Sequence, residues 1–176
     1  MLDGDGWISA DMKRWKYKIG LGVTSRPFAE EFAKALKEIN LHPCIYTQKP
    51  KKGRKVWKVE ATSPEFYSWL RMLGDSKCEE IVQSYPCDYL RGFYESEGSL
   101  EHRTKNSWRI TIYNGHKKAL LMAQQLMKEL GISSKLYCFQ KRVDQPRNKP
   151  LYSLRLSRSN PMKFLAVIKP VIKVGS

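Results

Sequence analysis

Residues 89–100 read YLRGFYESEGSL and residues 1–9 read MLDGDGWIS, so one short pattern occurs twice in the chain. Both copies contain an acid, a variable residue, a second acid and a glycine. The second acids, Asp5 and Glu97, lie 92 residues apart (97 − 5), about half of the 176-residue chain. The later copy predicts a helix that ends at the acids and continues as a strand. Within this helix, Gly92 has no Cβ and permits close approach of a partner helix.

The rest of the chain also repeats. Residues 36–46 (LKEINLHPCIY) resemble residues 127–137 (MKELGISSKLY) at an offset of 91 residues (127 − 36). Residues 56–63 (VWKVEATS) resemble residues 151–160 (LYSLRLSRSN), and a proline follows each stretch. Two matches in the same order and at consistent offsets indicate an internal duplication.

The apolar periodicity predicts an α+β fold built as a tandem αββαββα repeat. Apolar residues alternate with polar ones from Trp15 to Val23, which is typical of a strand with one buried face, and Trp15 is assigned to that face. The helix that follows is predicted to bury Phe28, Phe32, Ala35, Leu36 and Ile39. The predicted halves are residues 1–74, with a truncated first motif helix, and residues 86–176, joined by a connector at 75–85.

Composition narrows the class of protein. The chain has 32 lysines and arginines against 17 acids, a formal net charge of +15, and enough apolar residues (41%) to bury a core. This excess favours a polyanionic partner, although ribosomal and membrane-surface proteins share it. The sequence shows neither a secretory leader nor an apolar stretch long enough to span a membrane. Four scattered cysteines argue against a zinc site and a dense disulfide framework, so we expect a reducing intracellular compartment, the cytoplasm or an organelle.

The matched acids predict a metal site. Two neighbouring carboxylates repel each other unless a positive charge separates them, and a hard divalent cation with oxygen ligands is the usual solution. Asp5 and Glu97 can each hold one ion and share another, with the backbone carbonyls of Gly4 and Ser96 as further oxygen ligands. In a strongly basic chain, such a site suggests hydrolysis of phosphodiesters in nucleic acid.

Further polar residues are candidates for roles beside the acids. Lys77 and Lys173 follow the third helix of each copy, where a cation could stabilise the transition state, although both also fit solvated surface lysines. Asn114 ends the central strand of the second copy and could position a water molecule. The earlier acids, Asp3 and Glu95, are interpreted as helix caps or helix-end salt bridges.

The strand faces opposite the apolar sets are mixed polar and net basic, which favours base-specific contacts in a major groove. Each residue alone also fits an ordinary solvated sheet face. The candidates for DNA contact on these faces are Lys16, Lys18, Tyr46, Gln48, Lys58 and Glu60 in the first copy, and Arg109, Thr111, Tyr137, Lys141, Ser153 and Arg155 in the second. The loops at 50–55 and 142–150 are predicted to contact phosphates through Lys51, Lys52, Arg54 and Arg147.

The pattern at 89–100 resembles the LAGLIDADG motif, and residues 2–8 resemble a truncated first copy of it. The resemblance covers essentially the whole chain and implies the single-chain, two-motif class of homing endonucleases: two pseudo-twofold-related halves whose antiparallel sheets bind DNA. It implies an intron-encoded hydrolase that acts as a monomer. Such an enzyme would cut double-stranded DNA with the help of two or more Mg²⁺ ions. By motif position it assigns the metal to Asp5 and Glu97, the helix interface to Gly92, and the basic residues to the region of Lys77 and Lys173.

Two alternatives use the same fold. An RNA maturase would bind its own intron RNA and assist splicing. A DNA-binding regulator without activity would be expected to have lost one acid, whereas both Asp5 and Glu97 are present.

Overall fold

The computed structural model describes residues 6–11, 13–48, 55–104, 107–139 and 151–173. The chain divides into two compact units between Ile81 and Val82. The first contains β1 (Gly6–Asp11), β2 (Lys16–Val23), α1 (Arg26–Glu38), β3 (Cys44–Gln48), β4 (Val56–Thr62) and α2 (Pro64–Met72). Helix α3 (Asp75–Ser84) follows, then α4 (Pro86–Glu97), β5 (Gly98–Thr104), β6 (Ser107–Asn114), α5 (Lys117–Glu129), β7 (Ser134–Phe139), β8 (Leu151–Leu156) and α6 (Pro161–Ile168).

Each unit has one four-stranded sheet, and the two sheets have the same topology. The strand orders are β1-β2-β4-β3 and β5-β6-β8-β7, and every pairing is antiparallel. The predicted α+β fold and its tandem repeat are therefore confirmed. The residues predicted to form the truncated first motif helix lie outside the described residues, and the segment predicted as a connector contains α3. The sequence limits proposed for the two halves stay predictions.

Strand alternation decides which residues form the core of each unit. In the first unit Leu21, Val23, Val59 and Ala61 are buried against α1. In the second, Ile110, Ile112 and Leu154 are fully buried in the corresponding places. One face of each sheet therefore packs on helices, while the polar residues between these positions occupy the other face.

Two predictions about the first core are wrong. Trp15 is 76% exposed and has a φ of 51°, because the pairing of Asp11 with Lys16 closes the β1–β2 hairpin and leaves Trp15 in the turn. Helix α1 buries Ala29, Ala33 and Leu36, whereas Ala35 is exposed and Ile39 is 49% exposed. The helix ends at Glu38, so Ile39 falls on its C-cap and leaves the buried face.

A glycine permits the sharp passage from α4 to β5. A Cβ added at Gly98 would lie 2.2 Å from Cδ2 of Tyr94 and 2.5 Å from the Tyr94 carbonyl oxygen. Tyr94 is fully buried and contacts Phe164 edge to face, with ring centroids 5.4 Å apart. The ring cannot move aside without disturbing the core of the second unit, so this position of the motif requires glycine.

We therefore expect Gly98→Ala to destabilise the protein by about 1–3 kcal/mol, because the added methyl group overpacks a filled site. Gly115→Ala is the matched control, since no described atom lies within 4 Å of its added Cβ. Chemical denaturation of the three proteins measures the difference. Equal stabilities for the two variants would contradict the packing argument.

Candidate nucleic-acid interface and metal-binding turn

Helix α4 carries the second acidic motif to its C-terminal end. Glu97 is its last residue and is partly exposed, and the backbone N–H of Gly98 donates to the Tyr94 carbonyl to close the helix. Asp5 and Gly4, the predicted ligands from the first motif, lie outside the described residues. In the part of the chain that is described, no three His, Cys, Asp or Glu side chains cluster in a way that could hold a metal ion.

The donors present at this turn nevertheless fit a hard divalent cation. They are the carboxylate of Glu97 and the backbone carbonyls of the last helical turn, and oxygen is the ligand that Mg²⁺ prefers. The Ser96 carbonyl, a predicted ligand, accepts a long contact of 3.4 Å from Nζ of Lys173. A carbonyl oxygen has two lone pairs and can accept a second interaction.

The two predicted lysines have different surroundings. Lys173 lies against the end of α4, where its ammonium donates to the carbonyls of Tyr94, Ser96 and Gly98. Lys77 lies on α3, where it forms an exposed ion pair with Glu80, with Nζ and Oε2 3.5 Å apart. The structure thus brings Lys173 to the motif helix of its own unit, whereas the first motif, which Lys77 was predicted to accompany, lies outside the described residues.

Asn114 is buried at the end of β6, where it organises a turn. Its Oδ1 accepts a 2.7 Å hydrogen bond from the backbone N–H of His116, immediately before α5. This is the local pattern by which asparagine stabilises a turn. The water-positioning role stays a prediction.

Glu95 makes contacts that the sequence did not indicate. It is buried, and its carboxylate accepts hydrogen bonds from the backbone N–H groups of Val171, Ile172 and Lys173. A helix cap or a helix-end salt bridge, the roles predicted for Glu95, would use partners close to α4 in the sequence. The actual partners lie 76 to 78 residues away, and no local pattern signals them.

The strand register places the candidate DNA-contact residues of the first sheet on the face opposite the one that packs on the described helices. We call this opposite face the helix-free face. Gly22, Lys58 and Tyr46 stand opposite one another across β2, β4 and β3, as do Gly20, Glu60 and Cys44. Alternation then puts the remaining predicted positions on this face as well: Lys16, Lys18 and Gln48. The predicted phosphate-contacting residues Lys51, Lys52 and Arg54 lie outside the described part.

Three residues on this first face form a hydrogen-bonded triad. Glu60 accepts a 2.7 Å hydrogen bond from Nζ of Lys18 and a 2.6 Å hydrogen bond from the hydroxyl of Tyr46. Burial raises the pKa of Glu60, but these bonds and the charges of Lys18 and Lys58 outweigh burial, so the pKa is lowered. The bond to the Glu60 anion, with burial, raises the pKa of Tyr46.

The second sheet carries a different arrangement on the equivalent face. Arg109, Thr111, Tyr137, Ser153 and Arg155 share this face by register and alternation. The Arg155 guanidinium lies 4.8 Å from the ring centroid of Tyr137, in a cation–π contact. Thr111 and Ser153, predicted as contact residues, are buried, and their hydroxyls have no hydrogen-bond partner among the described residues. Lys141 and Arg147 lie outside the described part.

All four cysteines are free thiols. Among the helices that the structure describes, none has the length and apolar character needed to cross a membrane.

The sequence matches the LAGLIDADG-like domain family over residues 1–73 and 84–169, and the chain belongs to this family. An uncharacterized protein of Methanocaldococcus jannaschii is 29% identical over 139 residues, covering 79% of this chain and 49% of that protein. A second uncharacterized protein of the same organism is 28% identical over 145 residues, covering 78% and 54%. The chain spans about half the length of these relatives.

Solved structures share the fold along almost the whole chain. Mesophilic variants of the homing endonuclease I-DmoI match with a TM-score of 0.66 at 20% identity, covering 96% of this chain and 90% of theirs. I-DmoI in complex with DNA and Mn matches with 0.61 at 18% identity, covering 99% and 92%. The N-terminal LAGLIDADG domain of DUF199/WhiA matches with 0.61 at 15% identity, covering 98% and 79%.

The triad predicts a pH-dependent contribution to stability. A carboxylate whose pKa is lowered on folding stabilises the folded state above its unfolded pKa, and the contribution is lost as the pH falls through the folded pKa. Glu60→Gln should therefore lower stability by less than about 1 kcal/mol at neutral pH, since the pair is partly solvated. The difference from wild type should shrink as the pH falls below 4.5, the ordinary pKa of glutamate.

Glu30→Gln is the control for this prediction, since Glu30 pairs with Arg26 in an exposed contact on α1 (64% and 49% side-chain exposure for Arg26 and Glu30). Urea denaturation across the acid range gives both curves. A Glu60→Gln deficit that grows on acidification would have the wrong sign and refute the assignment.

Proposed function

We propose that this protein is a site-specific DNA endonuclease that makes double-strand breaks at a long asymmetric target, in the manner of an intron-encoded homing endonuclease. The observation that carries the proposal is the acidic end of α4. Glu97 lies there beside the ammonium of Lys173, in a unit whose sheet presents Arg109, Tyr137 and Arg155 on its helix-free face. A carboxylate that could hold a metal ion and a sheet face that could bind DNA through two arginines therefore occur in one unit.

The cofactor we propose is Mg²⁺, held by Glu97 and Asp5, with the carbonyls of Ser96 and Gly4 as additional ligands and two or more ions in total. A bound ion would activate water and neutralise charge developing on the phosphate. The protein itself would orient the duplex through its sheets. Its two halves carry different residues on their helix-free faces, so we propose that one monomer reads an asymmetric site.

Membership of the LAGLIDADG-like family and the fold shared with I-DmoI support this proposal. I-DmoI is a homing endonuclease, and its structures include complexes with DNA and Mn and with DNA and Ca. We propose double-stranded DNA as the partner of this chain and a divalent cation as its cofactor. We also propose that it acts in a reducing intracellular compartment. The presence of both Asp5 and Glu97 favours cleavage over binding alone.

Incubation with a randomised duplex library and Mg²⁺, followed by sequencing of the cut ends, tests the proposal. We expect one family of cut sites without a palindrome, and no cutting in excess chelator. Glu97→Gln should abolish cleavage of the recovered site with equal or tighter DNA binding, because removal of a carboxylate beside phosphate reduces repulsion.

Glu101→Gln is the matched control for Glu97→Gln, because Glu101 is an exposed acid on the neighbouring strand β5 and should be dispensable for cutting. Binding without any cutting by the wild type would instead favour an inactive DNA-binding protein. Selective binding of structured RNA over duplex DNA would favour the maturase.

The helix-free face of the second sheet generates a prediction about specificity. Arg155→Ala and Arg109→Ala should each relax preference at single base pairs by about 1–3 kcal/mol, because arginine recognises guanine through two hydrogen bonds. Arg155→Lys keeps the charge but not the planar fork, so it should retain the salt dependence of binding and lose the base preference.

Neutralising Lys51 and Lys52 should have the opposite effect. Binding to all sequences should weaken and its salt dependence should flatten, since contacts with phosphates carry no sequence information. Cleavage profiles over a library of single-base variants, recorded at several salt concentrations, distinguish the two classes. A uniform loss for Arg155→Ala with a selective loss for the lysine variants would reverse our assignment of strands and loops.

A further inference from the structure

The segment after α6 is attached to α4 by contacts in both directions. From α4, Nε of Arg91 donates to the Ile168 carbonyl at 2.7 Å, and the Tyr94 hydroxyl donates to the Lys173 carbonyl at 3.2 Å. The Glu95 carboxylate accepts from the backbone N–H groups of Val171, Ile172 and Lys173, the last two at 2.9 and 3.3 Å. We call this set of contacts, together with those of the Lys173 ammonium, the clasp.

The clasp determines where the Lys173 ammonium lies. An ammonium group has three N–H donors, and here it contacts three carbonyls at the end of α4, those of Tyr94, Ser96 and Gly98. Ser96 and Gly98 are the neighbours of Glu97 on either side. A cation at the C-terminal end of a helix interacts favourably with the helix dipole, so this lysine stabilises the turn that carries Glu97.

The Glu95 carboxylate is suited to hold this arrangement. It is buried, and an ionised carboxyl group in such a place is costly unless hydrogen bonds satisfy it. Three successive backbone N–H groups satisfy it, and they belong to the segment that ends in Lys173. The hydroxyl of the neighbouring Tyr94 donates to the Lys173 carbonyl, so α4 holds the same segment through two side chains.

We propose that Glu95 is a positioning residue of the nuclease site: it clasps residues 171–173 to the end of α4 and so fixes the Lys173 ammonium against the turn that presents Glu97. This rests on the proposed function, since the reaction it serves is the cleavage proposed above. Glu95 acts through Lys173 and Glu97 and has no direct part in the chemistry.

Amide hydrogen exchange of the free protein, followed by NMR, tests the clasp without any DNA. Oε1 of Glu95 accepts from Val171 and Ile172, and Oε2 accepts from Lys173. Glu95→Gln removes the charge and replaces one of these oxygens by an NH₂ donor, which opposes a backbone N–H group in either orientation of the amide, so exchange within residues 171–173 should accelerate about tenfold or more. Lys163→Met is the matched control, because Nζ of Lys163 donates to the Gly131 carbonyl at 2.8 Å, close to the end of a different helix, α5. It should leave exchange at Val171 and Ile172 unchanged.

A double-mutant cycle on the cleaved site tests the positioning role. Glu95→Gln and Lys173→Met should each lower kcat by about 10- to 100-fold with little change in KM, since misplacement of about 1 Å costs this much. The double variant should be no slower than the slower single variant, because both substitutions disrupt the same clasp. Lys163→Met should cut at the wild-type rate.

The outcomes separate the two hypotheses. Unchanged exchange at Val171, Ile172 and Lys173 in Glu95→Gln would overturn the clasp, whatever the enzyme does. Accelerated exchange with an unchanged kcat, or rate losses that multiply in the double variant, would overturn the positioning role. A wild-type protein that cuts no DNA would refute the proposed function, while the exchange measurement would still decide whether the clasp exists.

Discussion

The end of α4 imposes the constraint on which the second unit depends. The chain must stop being helical at Glu97 and start as a strand at Gly98, with no intervening loop. Only a residue without a Cβ fits under the Tyr94 ring, and that ring is fixed by its edge contact with Phe164 on α6. The motif acid is therefore held at one defined point between a helix, a strand and the segment that follows α6. A carboxylate on a surface loop would lack this fixed geometry.

The sequence predicted most of the secondary structure because the signals are local. Alternation in residues 16–23 and prolines at the first positions of α2, α4 and α6 each act within a few residues, and the strand predicted from Trp15 to Val23 is observed at Lys16–Val23. Trp15 was misassigned because its conformation depends on β1, which pairs with β2 through Asp11 and Lys16. The alternation around Trp15 continues through the turn, so the pattern alone cannot show where the hairpin closes.

The candidate site was predictable to a smaller extent. Repetition of the motif made Glu97 a candidate, since two matched acids in a duplicated chain are a pattern of the sequence itself. The contacts of Glu95 could not be predicted, because they join residues 76 to 78 positions apart and use backbone N–H groups that every residue type except proline possesses. The sequence likewise placed Thr111 and Ser153 on one sheet face, but it could not show that both are buried, since the residues paired with them, Arg155 and Tyr137, come from other strands.

The two sheet faces show how one duplicated fold can diverge. In the first unit, Glu60 engages both Lys18 and Tyr46, so their polar groups are already paired before any partner binds. In the second unit, the Arg155 guanidinium lies on the Tyr137 ring, and this contact orients it. A partner at the first face must compete with the internal acceptor Glu60 for Lys18 and Tyr46. We infer that the first face discriminates between partners, since a wrong partner would break these hydrogen bonds without replacing them.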